Sequence, residues 1–231
     1  MYADLARWWP LLSPKEEYVE EAADLLHQIG RGPGTLLELG CGGGSLAWHL
    51  KHHWTLTLTD VSPQMLEVCG ELNPEAECVV GDMRTIDLGR TFDRVLIHDA
   101  IMYMTTVADL EAAIRNAARH CTNEGLIAIL PDHVAETYEP SHDSGGHDAP
   151  DGRGLRYLEW TWDSDPNDSS FEVAYSIVTR DSSGAVHADL DVHKEGCFSR
   201  AQWNDTLHRS GLSARIHQDA WGRDVFLATR I

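Results

Sequence analysis

A run of glycines stands at the end of an apolar segment and before a helical pattern. Gly40 and Gly42 follow residues 35–39, and Asp60 ends the next apolar run, about twenty residues after Gly40. A glycine turn between a strand and a helix lets a ligand approach backbone N–H groups at the carboxyl edge of a sheet. An aspartate at the end of the second strand can accept hydrogen bonds from ribose hydroxyls. The spacing therefore predicts a cofactor that contains adenosine, and it leaves the kind of cofactor open.

Histidine and aspartate also follow the fourth and fifth apolar runs. His98 and Asp99 come directly after residues 92–97, and Asp132 and His133 follow the run that ends at Leu130. Histidine is the commonest general base in enzymes, and a carboxylate can orient it or bind a substrate cation. We take His98 and His133 as candidate catalytic residues. The alternative is that a histidine at a strand end only forms a hydrogen bond with the backbone.

The elements that must position these side chains alternate along the chain. Five apolar runs before residue 133 alternate with helical patterns and are joined by short connections. This order predicts an α/β fold with a parallel sheet that is covered by helices on both faces. Ligands bind such sheets at the carboxyl ends of the strands, so we expect the glycine turn, Asp60, His98 and Asp132 at one site.

The pattern changes after residue 133. Residues 134–153 are rich in Gly, Pro, Asp and His and predict a loop, and three alternating segments then predict an antiparallel meander. We interpret the face that carries Trp160 and Trp162 as the one that packs against the main sheet. The C-terminal residues predict a helix and a closing strand hairpin. The predicted parts are a cofactor-binding core with an N-terminal flap and helix (1–133), a loop and β insertion forming a substrate lid (134–198), and a C-terminal helix and hairpin completing the core sheet (199–231).

Charge and cysteine usage exclude several classes of protein. The formal net charge is −19 over 231 residues, which disfavours binding to nucleic acid and to anionic membranes. No apolar run approaches the length that spans a bilayer. The five cysteines are scattered without C-x-x-C spacing, and the histidines of the 134–153 loop are widely spaced, so we predict no disulfide framework and no metal site. These features predict a cytoplasmic protein.

Four segments, taken in order, resemble the motifs of class I methyltransferases that depend on S-adenosylmethionine (SAM). They are LLELGCGGGSLAWHL (36–50), LTLTDVSPQMLEV (56–68), VVGDMRTIDL (79–88) and TFDRVLIHDAIMYM (91–104). The resemblance implies a Rossmann-like sheet and SAM as the cofactor. It also implies that Gly40 and Gly42 line the methionine portion, that Asp60 holds the ribose, and that Asp82 and Met83 frame the adenine.

The chain resembles one branch of this family over more of its length. The helix EEYVEEAADL, the inserted meander and the ending FSRAQWNDTLHRSGL are similar to bacterial dTDP-aminosugar N,N-dimethyltransferases. Trp9 stands where that family carries a tyrosine near the transferred methyl group. The predicted cofactor-binding set is Tyr18, Glu38, Gly40, Gly42, Asp60, Val61, Asp82, Met83 and His98. The predicted substrate-binding set is Trp9, Asp99, Tyr103 and Asp132.

The resulting functional prediction is an enzyme that transfers a methyl group from SAM to a small molecule. The predicted acceptor is an amine of an aminosugar-like or natural-product compound, and the protein is a possible homodimer. One alternative is an O-methyltransferase that acts on a hydroxyl or carboxylate with His98 as base. Others are a non-catalytic SAM-binding protein and a nicotinamide dehydrogenase.

Overall fold

The computed structural model describes residues 5–231, which form two β-sheets and the helices around them. The strands are β1 (Thr35–Leu39), β2 (Thr55–Asp60), β3 (Glu77–Val80), β4 (Phe92–Ile97), β5 (Cys121–Ile129), β6 (His142–Gly145), β7 (Gly154–Trp162), β8 (Ser170–Arg180), β9 (Val186–Gly196), β10 (Leu212–Gln218) and β11 (Asp224–Arg230). The α-helices are α1 (Trp9–Leu12), α2 (Val19–Ile29), α3 (Ala47–Leu50), α4 (Pro63–Leu72), α5 (Val107–His120) and α6 (Arg200–Arg209). Short 3₁₀ helices cover Ala6–Trp8, Lys15–Tyr18 and Asp99–Tyr103.

The larger sheet has seven strands in the order β10-β11-β5-β4-β1-β2-β3. Strands β1 to β5 pair in parallel, whereas β11 runs antiparallel to both β5 and β10. The predicted α/β fold with a Rossmann-like sheet and a meander inserted after the fifth strand is therefore confirmed. The predicted closing hairpin is β10–β11.

Both faces of this sheet are buried because successive residues of each central strand point to opposite sides. Leu36 and Leu96 belong to an apolar cluster with helices α2 and α3. Their neighbours Leu37 and Val95 belong to a second cluster with helices α5 and α6. The short apolar runs in the sequence thus reflect strands that are covered on both sides.

Helix starts are fixed by local side-chain chemistry. The hydroxyl of Ser62 accepts a hydrogen bond from Met65 N at 3.3 Å, and Pro63 occupies the first helical position of α4. Ser199 and Gln202 form a reciprocal capping box at the start of α6. These contacts satisfy N–H groups that the helix itself leaves unpaired, so the two helices begin directly after these serines.

The smaller sheet is an antiparallel meander in the order β6-β7-β8-β9. Strand β6 lies within residues 134–153, so the prediction that this whole segment is a loop is wrong. His142 pairs with Trp160 and Gly145 pairs with Tyr157 across β6 and β7. This pairing with a distant strand forms β6, and the local Gly- and Pro-rich composition carries no sign of it.

The prediction that Trp160 packs against the main sheet is also wrong. Trp160 is 59% exposed and Leu158 is 47% exposed, whereas Leu155 and Thr161 of the same strand are buried. Alternation separates the two faces of a strand but does not say which one is covered. The inward face is the one shared with Phe171 and Val173 of β8, which join the main core.

Candidate active site

One cavity of about 570 Å³ opens at the carboxyl ends of the parallel strands. This volume lies in the range of small-molecule sites. Its wall includes every site residue predicted from the sequence except His133. The cavity therefore brings together side chains from the N-terminal segment, the ends of all five parallel strands and the inserted sheet.

The glycine turn after β1 forms one wall of the cavity. Gly40 N and Cys41 N both donate hydrogen bonds to Thr59 O at 2.8 Å, which ties the turn to the end of β2. Gly40 has φ of +80°, and a Cβ atom there would lie 2.4 Å from the Cβ of Ala100. Only glycine meets both requirements.

Trp9 covers the same turn. A Cβ atom on Gly43 would lie 2.2 Å from Cδ1 of the Trp9 ring, so the indole packs directly on the glycine backbone. Trp8, its neighbour, is 3% exposed and packs with Leu155 and Ile177 of the meander. The N-terminal segment therefore bridges the glycine turn and the inserted sheet.

Asp60 is held in one orientation at the end of β2. Its Oδ2 accepts a hydrogen bond from Gly42 N at 3.0 Å, and its Oδ1 accepts one from Ser62 N at 2.9 Å. Burial raises the pKa of Asp60, and these N–H groups act in the opposite direction. A carboxylate fixed in this way fits the hydroxyls of a ribose, since each oxygen can accept more than one hydrogen bond.

Glu38 lies at the floor of the cavity, below the glycine turn. It is 2% exposed, and its Oε2 has no hydrogen-bond partner within residues 5–231. Burial raises the pKa of Glu38 to about 8. A buried carboxyl oxygen without a partner fits a cationic group of the ligand, and the methionine ammonium of SAM is one.

Asp82 and Met83 line the cavity from the segment that follows β3. The carboxylate of Asp82 accepts hydrogen bonds from Arg84 N at 2.8 Å and Arg84 Nε at 3.0 Å, which lower the pKa of Asp82. Arg84 also donates to Asp109 at 2.6 Å. Met83 is buried, and its Cε approaches the Gly40 backbone. Val61, next to Asp60, is exposed at the rim.

His98 is buried between two carboxylates. Its Nε2 lies 2.8 Å from Oε1 of Glu21 and 3.0 Å from Oδ1 of Asp99. Burial alone would lower the pKa of His98, but Asp99 and Glu21 outweigh it and the pKa lies well above its ordinary value. Burial would likewise raise the pKa of Glu21, but His98 and Arg223 lower it to about 2. The geometry therefore favours an imidazolium paired with a carboxylate.

Arg223 completes this buried network from the hairpin between β10 and β11. Its guanidinium pairs with Glu21, donates to Oδ2 of Asp219 at 2.7 Å, and donates to Oδ1 of Asp132 at 3.3 Å. Sequence reasoning missed Arg223 and Glu21. No local motif marks them, because α2, β5 and the C-terminal hairpin meet only in the folded chain.

Tyr18 and Tyr103 line the cavity from opposite sides of His98. The hydroxyl of Tyr18 lies 2.8 Å from Oγ of Ser13, and its ring meets the His98 ring edge-on at 6.1 Å. Burial raises the pKa of Tyr18, and the charge of Asp99 acts in the same direction. The phenol is therefore neutral and available as a hydrogen-bond partner.

The inserted sheet adds two side chains to the cavity wall that the sequence did not single out. Tyr175 of β8 and Glu195 of β9 line the cavity together with Tyr103 and Asp132. Tyr175 belongs to an alternating strand face, but only the docking of the meander turns it towards the strand ends.

His133 lies apart from the cavity wall. Its ring meets the rings of Tyr138 at 5.6 Å and Phe171 at 5.8 Å. Burial lowers the pKa of His133. The side chain of His133 is thus not among those that line the cavity.

Within residues 5–231, no group of three or more His, Cys, Asp or Glu side chains is arranged to hold a metal ion. No helix in the same residues is both long and apolar enough to cross a membrane.

A methyltransferase domain family model matches residues 36–125, which run from β1 into β5. The dTDP-3-amino-3,6-dideoxy-alpha-D-glucopyranose N,N-dimethyltransferase of Streptomyces fradiae is 28% identical over 206 residues. The match covers 87% of this chain and 80% of that enzyme. The likeness therefore extends beyond the domain model into the inserted sheet and the C-terminal helix.

Two solved structures have the same fold. The crystal structure of Streptomyces venezuelae DesVI superposes with a TM-score of 0.83 at 22% identity, covering 95% of this chain and 94% of that chain. SAM-bound CalS10, an amino pentose methyltransferase from Micromonospora echinaspora, superposes with a TM-score of 0.77 at 24% identity. This match covers 93% of the present chain and 92% of CalS10. Residues 36–125 thus match a methyltransferase domain, and the chain is similar over most of its length to a bacterial dTDP-aminosugar N,N-dimethyltransferase and has the fold of these two solved structures.

Proposed function

We propose that the protein methylates an amine of an aminosugar-like or natural-product small molecule. The observation that carries the proposal is the continuity of the cavity. One space runs from the Asp60 and Glu38 carboxylates to the strand-end residues Asp99 and Asp132. A cofactor bound at the first pair of carboxylates would thus share this space with an acceptor bound at the second.

SAM supplies the electrophile when bound: the acceptor nitrogen forms a bond to the methyl carbon as the sulfur–methyl bond breaks, which leaves a neutral thioether. The protein's own contribution is alignment, which can account for a large share of such catalysis. Asp60 would hold the ribose and Glu38 the methionine ammonium. Trp9 packs over the glycine turn, where we propose that it excludes water.

The acceptor amine must lose its proton before it attacks. Asp99 and Asp132 line the cavity and can bind the acceptor as an ammonium. We assign His98 the role of a fixed cation that orients Asp99, because its paired environment favours the protonated form. This assignment favours an amine acceptor over the O-methyltransferase alternative, which needs His98 as a base.

The insertion at 134–198 is proposed as part of the substrate lid, since Tyr175 and Glu195 reach the cavity from it. Cytoplasmic location also remains a proposal, supported by the scattered free cysteines.

Replacing Asp60 with alanine should weaken SAM binding about 10- to 100-fold, the range of a lost hydrogen bond to a charged group. Calorimetry on the purified variant measures this dissociation constant. Asp87→Ala is a matched control, because Asp87 is exposed and also accepts a hydrogen bond from the N–H two residues ahead, at 2.9 Å. An unchanged affinity in a folded Asp60→Ala variant would remove Asp60 from the site.

Replacing His98 with glutamine should destabilise the protein most at low pH. The pKa of His98 is raised in the folded state, so its stabilisation is complete below its ordinary pKa of 6.5 and is lost as pH rises through the folded value. Breaking a buried ion pair costs about 3–5 kcal/mol. Thermal melts at several pH values should show the gap between wild type and variant closing as pH rises.

Replacing His133 with glutamine should change stability with the opposite dependence on pH. The pKa of His133 is lowered by burial, so the folded protein loses stability as pH falls below 6.5, and the variant should be spared that loss. A gap between wild type and His98→Gln that is constant across pH would contradict a charged His98.

Turnover with an amine acceptor should rise with pH through the pKa of that amine. Because the acceptor itself must deprotonate, an acceptor amine of lower pKa should shift the pH at which turnover rises downwards by the difference between the two amine pKa values. If a histidine acted as the base, the pH at which turnover rises would be the same for both acceptors. Labelled SAM with a panel of amines, phenols and carboxylic acids tests the reaction. Labelling of phenols or carboxylates alone would exclude the N-methyltransferase.

We further propose a homodimer through the outer face of β7, β8 and β9. This face exposes the apolar side chains of Leu158, Trp160, Val178, Val186, Leu190 and Val192. A second copy carries the same net charge of −19, so the two copies would meet with least electrostatic repulsion over a mainly apolar surface such as this one. Light scattering should give twice the 25.7 kDa chain mass, and Leu190→Asp should return it to one chain. A wild-type monomer would contradict the proposal.

A further inference from the structure

Three cysteines that are far apart in the sequence belong to one apolar cluster beside the glycine turn. Cys41 lies in the turn, Cys69 in α4 and Cys78 in β3, and all three are free thiols. The Cys41 Sγ lies 3.9 Å from the Cys69 Sγ, and both residues are buried. Cys41 lines the cavity, whereas Cys69 is not part of the lining. One thiol of this pair therefore faces the proposed cofactor space, and the other lies behind it.

Helix α4 packs directly against the turn at this point. Asn73 Nδ2 donates a hydrogen bond to Gly44 O at 3.0 Å, and Gly44 N donates one to Cys41 O at 3.0 Å. A Cβ atom on Gly44 would lie 2.6 Å from the Cys69 Sγ. These contacts hold the backbone of the turn close to the helix, so the two sulfurs stay in contact in the folded protein.

The two thiols differ in their ionisation. The Cys41 thiol donates a hydrogen bond to the Cys69 sulfur, and this bond lowers the pKa of Cys69 although burial opposes it. Asn73 Nδ2, 3.9 Å from the same sulfur, also lowers the pKa of Cys69. The shared hydrogen bond raises the pKa of Cys41. Thiolates are the nucleophiles of disulfide chemistry, so Cys69 is the one suited to attack an oxidised Cys41 sulfur.

We infer that Cys41 and Cys69 form an oxidation site, which hydrogen peroxide closes to a disulfide and a thiol reductant opens again. Cys41 first passes its proton to Cys69, and its sulfur then attacks one peroxide oxygen. The O–O bond breaks and hydroxide leaves, which gives a sulfenic acid on Cys41. Cys69 attacks that sulfur, the S–O bond breaks, and the S–S bond forms with loss of water. The two thiols are oxidised by two electrons, and the peroxide is reduced.

Closing the disulfide changes the turn that is proposed to hold the cofactor. A disulfide needs its sulfurs about 2.05 Å apart, so the two must approach by about 1.9 Å from their present 3.9 Å. Cys41 N donates to Thr59 O at 2.8 Å, and the next N–H, of Gly42, donates to Oδ2 of Asp60 at 3.0 Å. Drawing Cys41 towards α4 displaces these N–H groups, and Asp60 then loses a bond that orients it.

The disulfide and the cofactor therefore oppose each other. A disulfide that weakens cofactor binding by some factor is itself disfavoured by bound cofactor by the same factor, because the two equilibria are linked. This consequence rests on the proposed placement of SAM at the glycine turn, and it is independent of which acceptor is methylated.

The test treats the full-length protein with hydrogen peroxide in the absence of ligand. A digest kept free of reductant should contain Cys41 and Cys69 in one linked peptide, lighter by two hydrogens than the separate peptides together. Calorimetry should show the dissociation constant of S-adenosylhomocysteine rising at least about 10-fold, the effect of a lost hydrogen bond to a charged group. Dithiothreitol should restore the original affinity.

A titration in a dithiol redox buffer measures the reverse effect. Saturating S-adenosylhomocysteine should raise the reduction potential of the pair, because the ligand binds the reduced form more tightly. The expected rise is about 30 mV for each tenfold difference in affinity between the two forms.

Cys69→Ser isolates the pair, because serine keeps nearly the same size and cannot form the bridge. This variant should give no linked peptide and should bind S-adenosylhomocysteine equally before and after peroxide, with thermal melts confirming its fold. Cys121→Ser is the matched control, since it removes a buried thiol from the other core cluster. Cys121→Ser and Cys78→Ser should both respond to peroxide as the wild type does.

The outcomes separate this inference from the proposed function. A digest without the Cys41–Cys69 peptide, or with a Cys69–Cys78 peptide in its place, would overturn the inference and leave N-methylation intact. A linked protein with unchanged affinity for S-adenosylhomocysteine would do the same. Reduced wild-type protein that does not bind S-adenosylhomocysteine would instead overturn the proposed function together with the inference.

Discussion

The carboxylate of Glu21 is buried where the N-terminal helix crosses the ends of the parallel strands, and its charge must be balanced there. It is balanced by His98 from the end of β4 and by Arg223 from the C-terminal hairpin. A buried ion left without a partner would cost several kcal/mol, about 3–5 kcal/mol when one partner is removed. The network therefore holds α2, β4, β5 and the β10–β11 hairpin in one arrangement. It also sets the charge of His98, which decides what that residue can do in the cavity.

The cofactor half of the site depends on close backbone contacts. The glycine turn is tied to Thr59, carries the Asp60 hydrogen bond on Gly42 N, and lies under the indole of Trp9. Gly40 and Gly42 have positive φ, and a Cβ atom on Gly43 would overlap the Trp9 ring. Glu38 lies below the turn with a buried oxygen that lacks a partner in the described chain. We propose that a cationic group of the ligand binds that oxygen.

The inserted meander forms part of the cavity wall, and its two faces have different surroundings. The inward face carries Tyr175 and Glu195 to the strand ends, and the outward face is apolar and exposed. The Streptomyces fradiae relative is named for a nucleotide-linked aminosugar, and the sequences share only 28% identity. A shared fold does not by itself fix the acceptor, because function depends on the residues that line the cavity.

The sequence by itself determined the elements with strong local signals. The five apolar runs, the glycine turn and Asp60 depend on neighbours in the chain, and the structure has them where the pattern predicts. Strand-end position alone was enough to place His98, Asp99 and Asp132 at one cavity, because parallel strands end at one edge. Tertiary structure decided the rest. It formed β6 by pairing with β7, and it turned Tyr175 towards the cavity and Trp160 towards solvent. It left the His133 side chain out of the cavity lining. It also brought Glu21 and Arg223 together across 202 positions. These outcomes depend on which surfaces meet when the sheet, the meander and the hairpin pack, and contacts between distant residues leave no periodicity in the sequence.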